Sequence, residues 1–351
     1  MAVEPYRRRM LLVTGGAGFV GSHVVDLLAA QGEAVRVLDL RPPRAGAPDG
    51  VEHHVGDVRD AATVRRALEG VDAVCHQAAM VGLGVDLGDI AGYVAHNDLG
   101  TAVLLRELAA ARFAGRVVLA SSMVIYGEGR YRCAEHGVVA PAPRPVAALQ
   151  RAEFEPGCPS CSGVLAPEPV PEAAPADPRN VYAATKLHQE HLAAAFSRET
   201  GVPVTALRYH NIYGPRLPRD TPYAGVAALF ASAVAGGRAP QVYEDGGQLR
   251  DFVHVRDVAR ANVLALTAPD AVPGAFNVCS GRPRTILELA QALHATLAPD
   301  GPPAQVNGAF RLGDVRHVFA DARRAADTLG FAAAEDFGTG IAELGRELVA
   351  A

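Results

Sequence analysis

The chain has 351 residues, of which 49% are hydrophobic and 20% are charged, and its formal net charge is −5 at pH 7. This composition is typical of a globular protein with room for two modest domains or one large α/β unit, and the negative charge gives no electrostatic basis for binding nucleic acid or an anionic membrane. The short apolar run after Arg9 passes at once into a glycine loop, which predicts neither a signal peptide nor a membrane span, so we expect a cytoplasmic protein.

The first predicted elements are a strand, a glycine turn and a helix, in that order. Residues 10–13 are an apolar run, and the turn follows at residues 14–21. Gly15, Gly18 and Gly21 have the spacing G-x-x-G-x-x-G, which lets backbone amides approach a pyrophosphate at a helix N-terminus. The segment therefore predicts a dinucleotide-binding turn.

An acidic residue ends the second predicted strand, 18 positions after Gly21. The carboxylate of Asp39 can accept from both ribose hydroxyls and repels a 2′-phosphate, which favours NAD over NADP. Arg41 and Arg44 weaken this preference slightly.

The alternation of strands and helices continues to residue 122. Asp57 follows the third strand and is either an acceptor for the adenine amino group or a helix cap. His76 ends the fourth strand as an expected core histidine, and the small residues after it lie where backbone passes close to a ligand in a parallel sheet. A long helix through residues 93–108 and a fifth strand ending at Ser121 and Ser122 complete this half.

Tyr182 and Lys186 lie four residues apart, after Pro178 and the candidate helix cap Asn180, and so share one face of a predicted helix. Lys186 is the only lysine in the chain. A neighbouring positive charge favours phenolate, so we expect Lys186 to bring the pKa of Tyr182 from its ordinary ~10 toward a range useful for acid–base catalysis. The pattern alone is also that of an ordinary amphipathic helix.

Taken together, these motifs resemble those of the extended short-chain dehydrogenases/reductases that remodel nucleotide sugars. The motifs carrying the resemblance are TGGAGFVG at 14–21, GDV at 56–58, HQAA at 76–79, SSMVIYG at 121–127 and YAATK at 182–186. The resemblance implies an α/β fold with a Rossmann doubly wound parallel sheet in residues 1–210, interrupted by an insertion at 128–177. A smaller α/β substrate domain would occupy residues 211–351.

The resemblance also implies the site. Ser122 would hydrogen-bond the reacting sugar oxygen, Tyr182 would be the acid/base, and Lys186 would hold the nicotinamide ribose. The expected NAD contacts are Gly15, Gly18, Phe19, Val20, Gly21, Asp39, Leu40, Asp57, Val58, Gln77, Ala78, Ala79, Asn97, Tyr182 and Lys186. A homodimer is implied, with helices at 93–108 and 182–196 pairing across a two-fold axis.

Two residues after the catalytic serine narrow the reaction. Family dehydratases have an Asp–Glu pair there, and the decarboxylases have a glutamate at the second position. Here Met123 and Val124 occupy these positions, and neither can transfer a proton. With dehydration and decarboxylation disfavoured, the reactions left are epimerisation and net oxidation or reduction at one carbon.

The expected contacts to a nucleotide-diphosphate sugar lie mostly after residue 210. Arg250 and Arg311 can clamp a diphosphate, Asp314 can accept from the nucleotide ribose, and Val318 leaves room in the sugar pocket. Arg216 and Arg219 can reach a carboxylate, although the uncharged pocket favours a neutral or 6-deoxy sugar. The substrate set is Ser122, Asn211, Gln241, Tyr243, Arg250, Arg311, Asp314 and Val318.

The insertion carries two pairs of metal-ligand type. Cys133 and His136 form the first pair, and Cys158 and Cys161 form the second after 21 intervening residues. This spacing is that of a tetrahedral structural zinc site in a knuckle-like loop. A mobile loop with incidental thiols is the alternative.

The insertion and the segments at 211–216 and 221–226 look most like the dTDP-L-rhamnose 4-epimerase subgroup. We therefore predict an NAD-dependent nucleotide-sugar 4-epimerase acting on a dTDP-6-deoxyhexose such as dTDP-L-rhamnose. The alternatives are a UDP-glucose or UDP-glucuronate 4-epimerase, a nucleotide-sugar 4-ketoreductase or dehydrogenase, and a sensor of nucleotide sugars.

Overall fold

The computed structural model describes residues 8–82, 87–218 and 225–350. Arg219 and the segment 221–224 of the subgroup resemblance lie outside them. The strands are β1 (Met10–Thr14), β2 (Ala34–Asp39), β3 (Glu52–Val55), β4 (Ala73–His76), β5 (Arg116–Ser122), β6 (Arg130–Cys133), β7 (Gly137–Val139), β8 (Ala166–Glu168), β9 (Val204–Tyr209), β10 (Asn211–Tyr213), β11 (Gln241–Val242), β12 (Leu249–His254), β13 (Gly274–Val278), β14 (Pro283–Thr285) and β15 (Gln305–Val306).

The helices follow the same chain order. They are α1 (Phe19–Ala30), α2 (Ala61–Ala67), α3 (Ile90–Tyr93), α4 (Gly100–Ala110), α5 (Val146–Gln150), α6 (Val181–Thr200), α7 (Val226–Ala235), α8 (Val255–Thr267), α9 (Ile286–Leu297), α10 (Arg323–Leu329) and α11 (Phe337–Ala350). Short 3₁₀ turns occupy Leu87–Asp89 and Met123–Tyr126.

A seven-stranded parallel sheet organises the chain, in the order β13-β9-β5-β4-β1-β2-β3. Its central strands β1, β4, β5 and β9 are buried on both faces because helices cover both. Leu11 and Val13 pack toward α1 and α8, whereas Leu12 packs toward α2, α4 and α6. The predicted α/β fold with a parallel Rossmann sheet is confirmed. The edge strand β13 lies beyond residue 210.

Smaller sheets lie beside it. Strands β10, β12 and β14 form one of them, and β11 pairs with β15. Helices α7, α9 and α11 share an apolar core with this part of the chain, built around Phe230, Leu289 and Leu344. In the insertion, β6 pairs antiparallel with β7 and β8.

The long helix predicted at 93–108 is interrupted. A π-helical stretch, Val94–Leu99, separates α3 from α4. Such wide turns occur frequently at functional sites, and this one contains the buried Asn97.

Candidate active site

The glycine turn between β1 and α1 is shaped by close backbone contacts. Gly15 has a φ of 71°, and a Cβ there would lie 2.7 Å from the Ala78 nitrogen. A Cβ on Gly21 would lie 2.2 Å from the Gly15 oxygen. Gly18 precedes α1 without a side-chain cap, so the first amides of Phe19 and Val20 remain available to an anion.

Asp39 lies beside this turn at the end of β2. Its Oδ2 accepts from the Ala17 amide at 3.0 Å and its Oδ1 from the Arg41 amide at 2.9 Å. The buried carboxylate is thus held at the place where a ribose would follow a pyrophosphate. Leu40, the next residue, is exposed.

Asp57 does not cap a helix, and that alternative is wrong. Asp60 caps α2 instead, accepting from Ala62 and Thr63. The Arg59 guanidinium binds Asp57 at 2.5 Å and holds the pKa of that carboxyl below its usual range. Val58 is buried against Gly100.

The end of β4 is fixed by buried polar contacts. The His76 ring binds the hydroxyls of Thr14 at 2.7 Å and Thr101 at 3.0 Å, as expected of a core histidine. Burial lowers its pKa to about 3. The Gln77 side chain points into the protein, donating to Asn262 at 2.9 Å. The backbone of Gln77 and Ala78, rather than the Gln77 side chain, is therefore the part of this segment beside the glycine turn.

Asn97 is a positioning residue. Its Nδ2 donates to the Met80 oxygen at 3.0 Å and to the Thr185 hydroxyl at 2.9 Å, and its Oδ1 accepts from the Met80 amide at 2.7 Å. Asn97 thus joins the loop after β4 to α6, and its Oδ1 keeps one lone pair for a further partner. The expected cofactor contact of Asn97 stays a prediction.

Three buried side chains meet where β5 ends and α6 begins. Asn180 caps α6 by accepting from the Ala183 amide at 2.8 Å, as the sequence predicted. The Ser122 hydroxyl lies close enough to the Tyr182 phenol to lower the pKa of that phenol. The Lys186 ammonium lies 5.9 Å from the centre of the Tyr182 ring.

The electrostatics of this group differ from the expectation. Burial raises the pKa of Tyr182 above its ordinary value, and the Ser122 hydroxyl only partly opposes this. Burial also lowers the pKa of Lys186 to about 8, against the nearby charges of Glu190 and Asp98. The expected fall in the tyrosine pKa is therefore wrong for the protein alone, because desolvation outweighs the ammonium.

Sequence reasoning missed a buried network one turn further along α6. Glu190 accepts from the Arg208 guanidinium at 2.7 and 2.9 Å and from the Ser121 hydroxyl. Arg208 also donates to the Tyr126 hydroxyl at 2.8 Å. The sequence did contain a signal for Glu190, because residues 182, 186 and 190 are four positions apart and therefore lie on one face of the helix.

Two polar side chains after β9 have unused atoms. The Asn211 Oδ1 and both ring nitrogens of His210 are buried with no hydrogen-bond partner among the described residues. They follow Tyr209, which pairs with Ser122. Buried unpaired polar atoms are rare, so this edge of the sheet is suited to a polar ligand. His210 was not predicted.

The predicted diphosphate residues lie close together, but Arg250 is not an open fork. Its guanidinium donates to the carbonyl oxygens of Leu249 at 2.8 Å, Arg316 at 2.9 Å and Val315 at 2.7 Å. Of its five N–H groups, this leaves one at Nε and one at Nη2 for a ligand. Asp314 lies near the charges of Arg250 and Arg311.

The remaining predicted substrate residues are Arg311, Tyr243, Gln241 and Val318. The Arg311 guanidinium lies 5.3 Å from the centre of the Tyr243 ring. Gln241 is exposed and pairs with Gln305. Val318 is buried in an apolar cluster with Ile125 and Tyr126, and its place in a sugar pocket stays a prediction.

The four predicted metal ligands converge in the insertion. Their ligand atoms all lie within 4.8 Å of one another. The Cys133 sulfur lies 3.5 Å from His136 Nδ1 and 3.7 Å from the Cys161 sulfur, and the Cys158 sulfur lies 3.7 Å from His136 Nδ1. A tetrahedron with bonds of ~2.3 Å has edges of roughly 3.8 Å, so the donor set fits zinc.

Comparison with models of known protein families identifies the family of this chain. The model of the NAD-dependent epimerase/dehydratase family matches residues 11–145 and 159–279. The chain belongs to this family. The predicted resemblance and the predicted NAD-dependent isomerase are thereby confirmed.

Epimerases are also the similar proteins of known name. A dTDP-L-rhamnose 4-epimerase of Burkholderia thailandensis is 34% identical over 96% of this chain and 94% of its own length. A putative UDP-glucose 4-epimerase of Methanocaldococcus jannaschii is 29% identical over 95% and 96%. The Thermus thermophilus UDP-glucose 4-epimerase complex with NAD has a TM-score of 0.76 at 30% identity, over 97% of this chain and 98% of that one.

The residues of this epimerase fit NAD. The glycine turn leaves the start of α1 without a side-chain cap, Asp39 lies beside the turn, and unpaired polar atoms remain at His210 and Asn211. No helix within residues 8–82, 87–218 and 225–350 is long and apolar enough to cross a membrane.

Proposed function

We propose that the protein is a nucleotide-sugar 4-epimerase acting on a dTDP-6-deoxyhexose such as dTDP-L-rhamnose. The neighbouring Ser122 and Tyr182 hydroxyls carry the proposal, because Met123 and Val124 follow Ser122 and provide no acid to assist loss of water or carbon dioxide. The Burkholderia relative, named for this reaction, supports the substrate class.

In the proposed reaction, Tyr182 takes the proton of the sugar 4-hydroxyl, with Ser122 orienting that oxygen. NAD, when bound, supplies the hydride acceptor and donor, and its positive charge favours the phenolate that burial disfavours. Lys186, held by the Ala120 oxygen at 3.1 Å, adds a second charge and holds the nicotinamide ribose. The 4-keto sugar turns over, and Tyr182 returns the proton after reduction on the other face.

Two alternatives remain within the same chemistry. UDP-glucose 4-epimerases among the relatives favour a UDP-sugar. A uronic acid is disfavoured because Arg216 is already bound to Ser22 at 2.9 Å and to Asp26 at 2.8 Å. A 4-ketoreductase or dehydrogenase would use the same residues once per turnover, but Asp39 disfavours NADPH.

We also propose that the Cys/His cluster holds one structural zinc ion. All four ligand positions come from the protein, so the site has no open position for catalysis. The apolar cluster beside it is small, centred on Tyr131, Cys133, Cys158 and Leu165. A metal would supply folding energy that this core lacks.

The assembly and compartment are also proposals. Exposed Ile90, Val94 and Leu99 lie on the α3–α4 stretch, which supports a homodimer through this stretch and α6. The five free cysteines suit the reducing cytoplasm.

One experiment separates the candidate functions. The purified protein is incubated with dTDP- and UDP-sugars without added cofactor, and the products are resolved by NMR. We expect interconversion of C4 epimers with the dTDP-6-deoxy sugar favoured. Strict dependence on added NADPH, or no turnover of any sugar, would overturn the proposal.

A further inference from the structure

The insertion is bonded to the segment that carries the substrate residues. We define the nucleotide segment as residues 311–318. The hydroxyl of Tyr131, a fully buried residue of β6, accepts from the His317 amide at 3.1 Å and donates to Glu128 at 3.3 Å. Glu128 in turn accepts from the Arg316 amide at 2.5 Å. Two consecutive peptide N–H groups of the nucleotide segment are therefore held by the insertion.

The same stretch of backbone is bound from the other side by Arg250. Its guanidinium donates to the oxygens of Val315 and Arg316. The two peptide groups that join Val315, Arg316 and His317 each direct their N–H group to the insertion and their oxygen to Arg250. A displacement of Tyr131 and Glu128 would move the acceptors that orient the Arg250 guanidinium.

Buried charges strengthen this docking. The Arg316 guanidinium is 2% exposed and binds Glu155 of the insertion at 2.6 Å. Arg144, also of the insertion, binds Glu244 at 2.8 Å, and both side chains are almost fully buried. Separating the insertion would take Glu155 away from Arg316, which keeps Glu244 and Asp245 as partners, and would remove the buried Arg144 from Glu244, and the loss of a buried partner is unfavourable.

The Cys/His cluster determines where β6 lies within the insertion. Cys133 is the last residue of the strand that carries Tyr131, and Cys158 and Cys161 come from the turn that packs on it. An ion bound by all four residues would attach the turn of Cys158 and Cys161 to Cys133, which lies two residues after Tyr131 in β6. The apolar cluster that holds this turn on β6 is otherwise small.

We propose that metal binding in the insertion positions Arg250 for the diphosphate of the substrate, through Tyr131, Glu128 and the nucleotide segment. Metal and nucleoside diphosphate would then favour each other's binding, and by linkage the effect is reciprocal. The inference rests on the proposed function in placing a diphosphate at Arg250. The NAD turn at residues 14–21 makes none of these contacts.

The test measures nucleotide binding rather than turnover. The affinities of the zinc-loaded and chelator-treated holoproteins for dTDP and UDP are compared by calorimetry, and bound NAD is quantified in both. We expect chelation to weaken nucleotide binding about tenfold or more with NAD retained. An unchanged affinity would overturn the inference.

The variant Tyr131→Phe tests the same connection without removing the metal, in case chelation disturbs the whole fold. This variant retains all four metal ligands but loses the hydroxyl that holds His317. We expect zinc to stay bound, nucleotide affinity to fall several-fold, and chelation to cost less additional affinity than in the parent. Cys279→Ser is the matched control, since Cys279 is a buried thiol outside the cluster, and it should behave as the parent. Full affinity in Tyr131→Phe would contradict the proposal.

Reciprocity gives an independent measurement. Zinc transfer to a chromogenic chelator should slow when dTDP or UDP is bound, and a rate unaffected by either nucleotide would count against the coupling. If the loaded protein binds these nucleotides but converts no sugar, the proposed function fails while this inference is still tested.

Discussion

The Lys186 ammonium lies 5.9 Å from the centre of the Tyr182 ring and donates its hydrogen bond to the Ala120 oxygen. Its charge is therefore near the phenol without being bonded to it. In the protein alone, burial keeps Tyr182 protonated. In the proposed mechanism, the positive charge of bound NAD would favour the phenolate of Tyr182.

Removing the phenol should separate chemistry from cofactor binding. Tyr182→Phe keeps the ring that packs near Tyr93 but has no proton to exchange. We expect turnover to fall about 10²- to 10⁴-fold, the usual contribution of acid–base catalysis, with bound NAD unchanged in absorbance. Residual turnover near the parent rate would show that another group moves the proton.

The pH dependence should follow Lys186. A lysine is charged below its pKa, which is about 8 here, so turnover should decline as pH rises through 8. The folded pKa lies below the unfolded value of about 10.4, so the folded chain binds fewer protons between these values and stability rises with pH across that window. A rate that falls while urea stability holds or rises would identify loss of charge, whereas a flat rate to pH 10 would contradict the assignment.

Cofactor preference should depend on Asp39. In Asp39→Ser the carboxylate that faces Ala17 is lost, and Arg41, whose Nε lies 3.7 Å from it, becomes available to a 2′-phosphate. We expect affinity for NAD to fall about tenfold and binding of NADP to become measurable, by fluorescence titration of the cofactor-free protein. Continued exclusion of NADP would mean that other residues set the preference.

The glycine turn should not tolerate a methyl group. Gly21→Ala places a Cβ 2.2 Å from the Gly15 oxygen, so the turn must shift, at a cost of about 1–3 kcal/mol in unfolding free energy and with loss of bound NAD. Gly225→Ala is the control, because Gly225 has a φ of −64° and open space around its Cα. Equal NAD content in both variants would exclude a close approach at residue 21.

Metal content should follow the cluster cysteines. We expect about one zinc ion per chain in the parent, and its loss with a lower melting temperature in Cys158→Ser, because the bound metal stabilises only the folded insertion. Cys279→Ser should retain both. Sub-stoichiometric zinc together with an unchanged Cys158→Ser would remove the metal proposal.

Features encoded by neighbouring residues were predictable from the sequence. The cap of Asn180 on α6 and the glycine turn depend on residues within a few positions, and the four metal ligands come as two local pairs. The parallel sheet followed from the alternation of strands and helices. In each case short-range geometry determines the result.

Features set by distant contacts were not predictable. Arg250 donates to residues 65 and 66 positions away, so no local pattern shows that its guanidinium is partly occupied. The pKa of Tyr182 depends on burial created by the whole fold, and Asn97 donates to Thr185 across 88 positions. The π-helical stretch around Asn97 likewise has no breaker residue to mark it.

The presence of a single lysine determines how the enzyme reacts with amine-directed labels. Amine-directed labels have a single lysine side chain to react with, and Lys186 is only 3% exposed. We expect acylation of Lys186 to lower turnover, and a bound nucleotide sugar to protect it. Cross-linkers directed at lysine side chains will report few subunit contacts, so oligomers are better detected by other means.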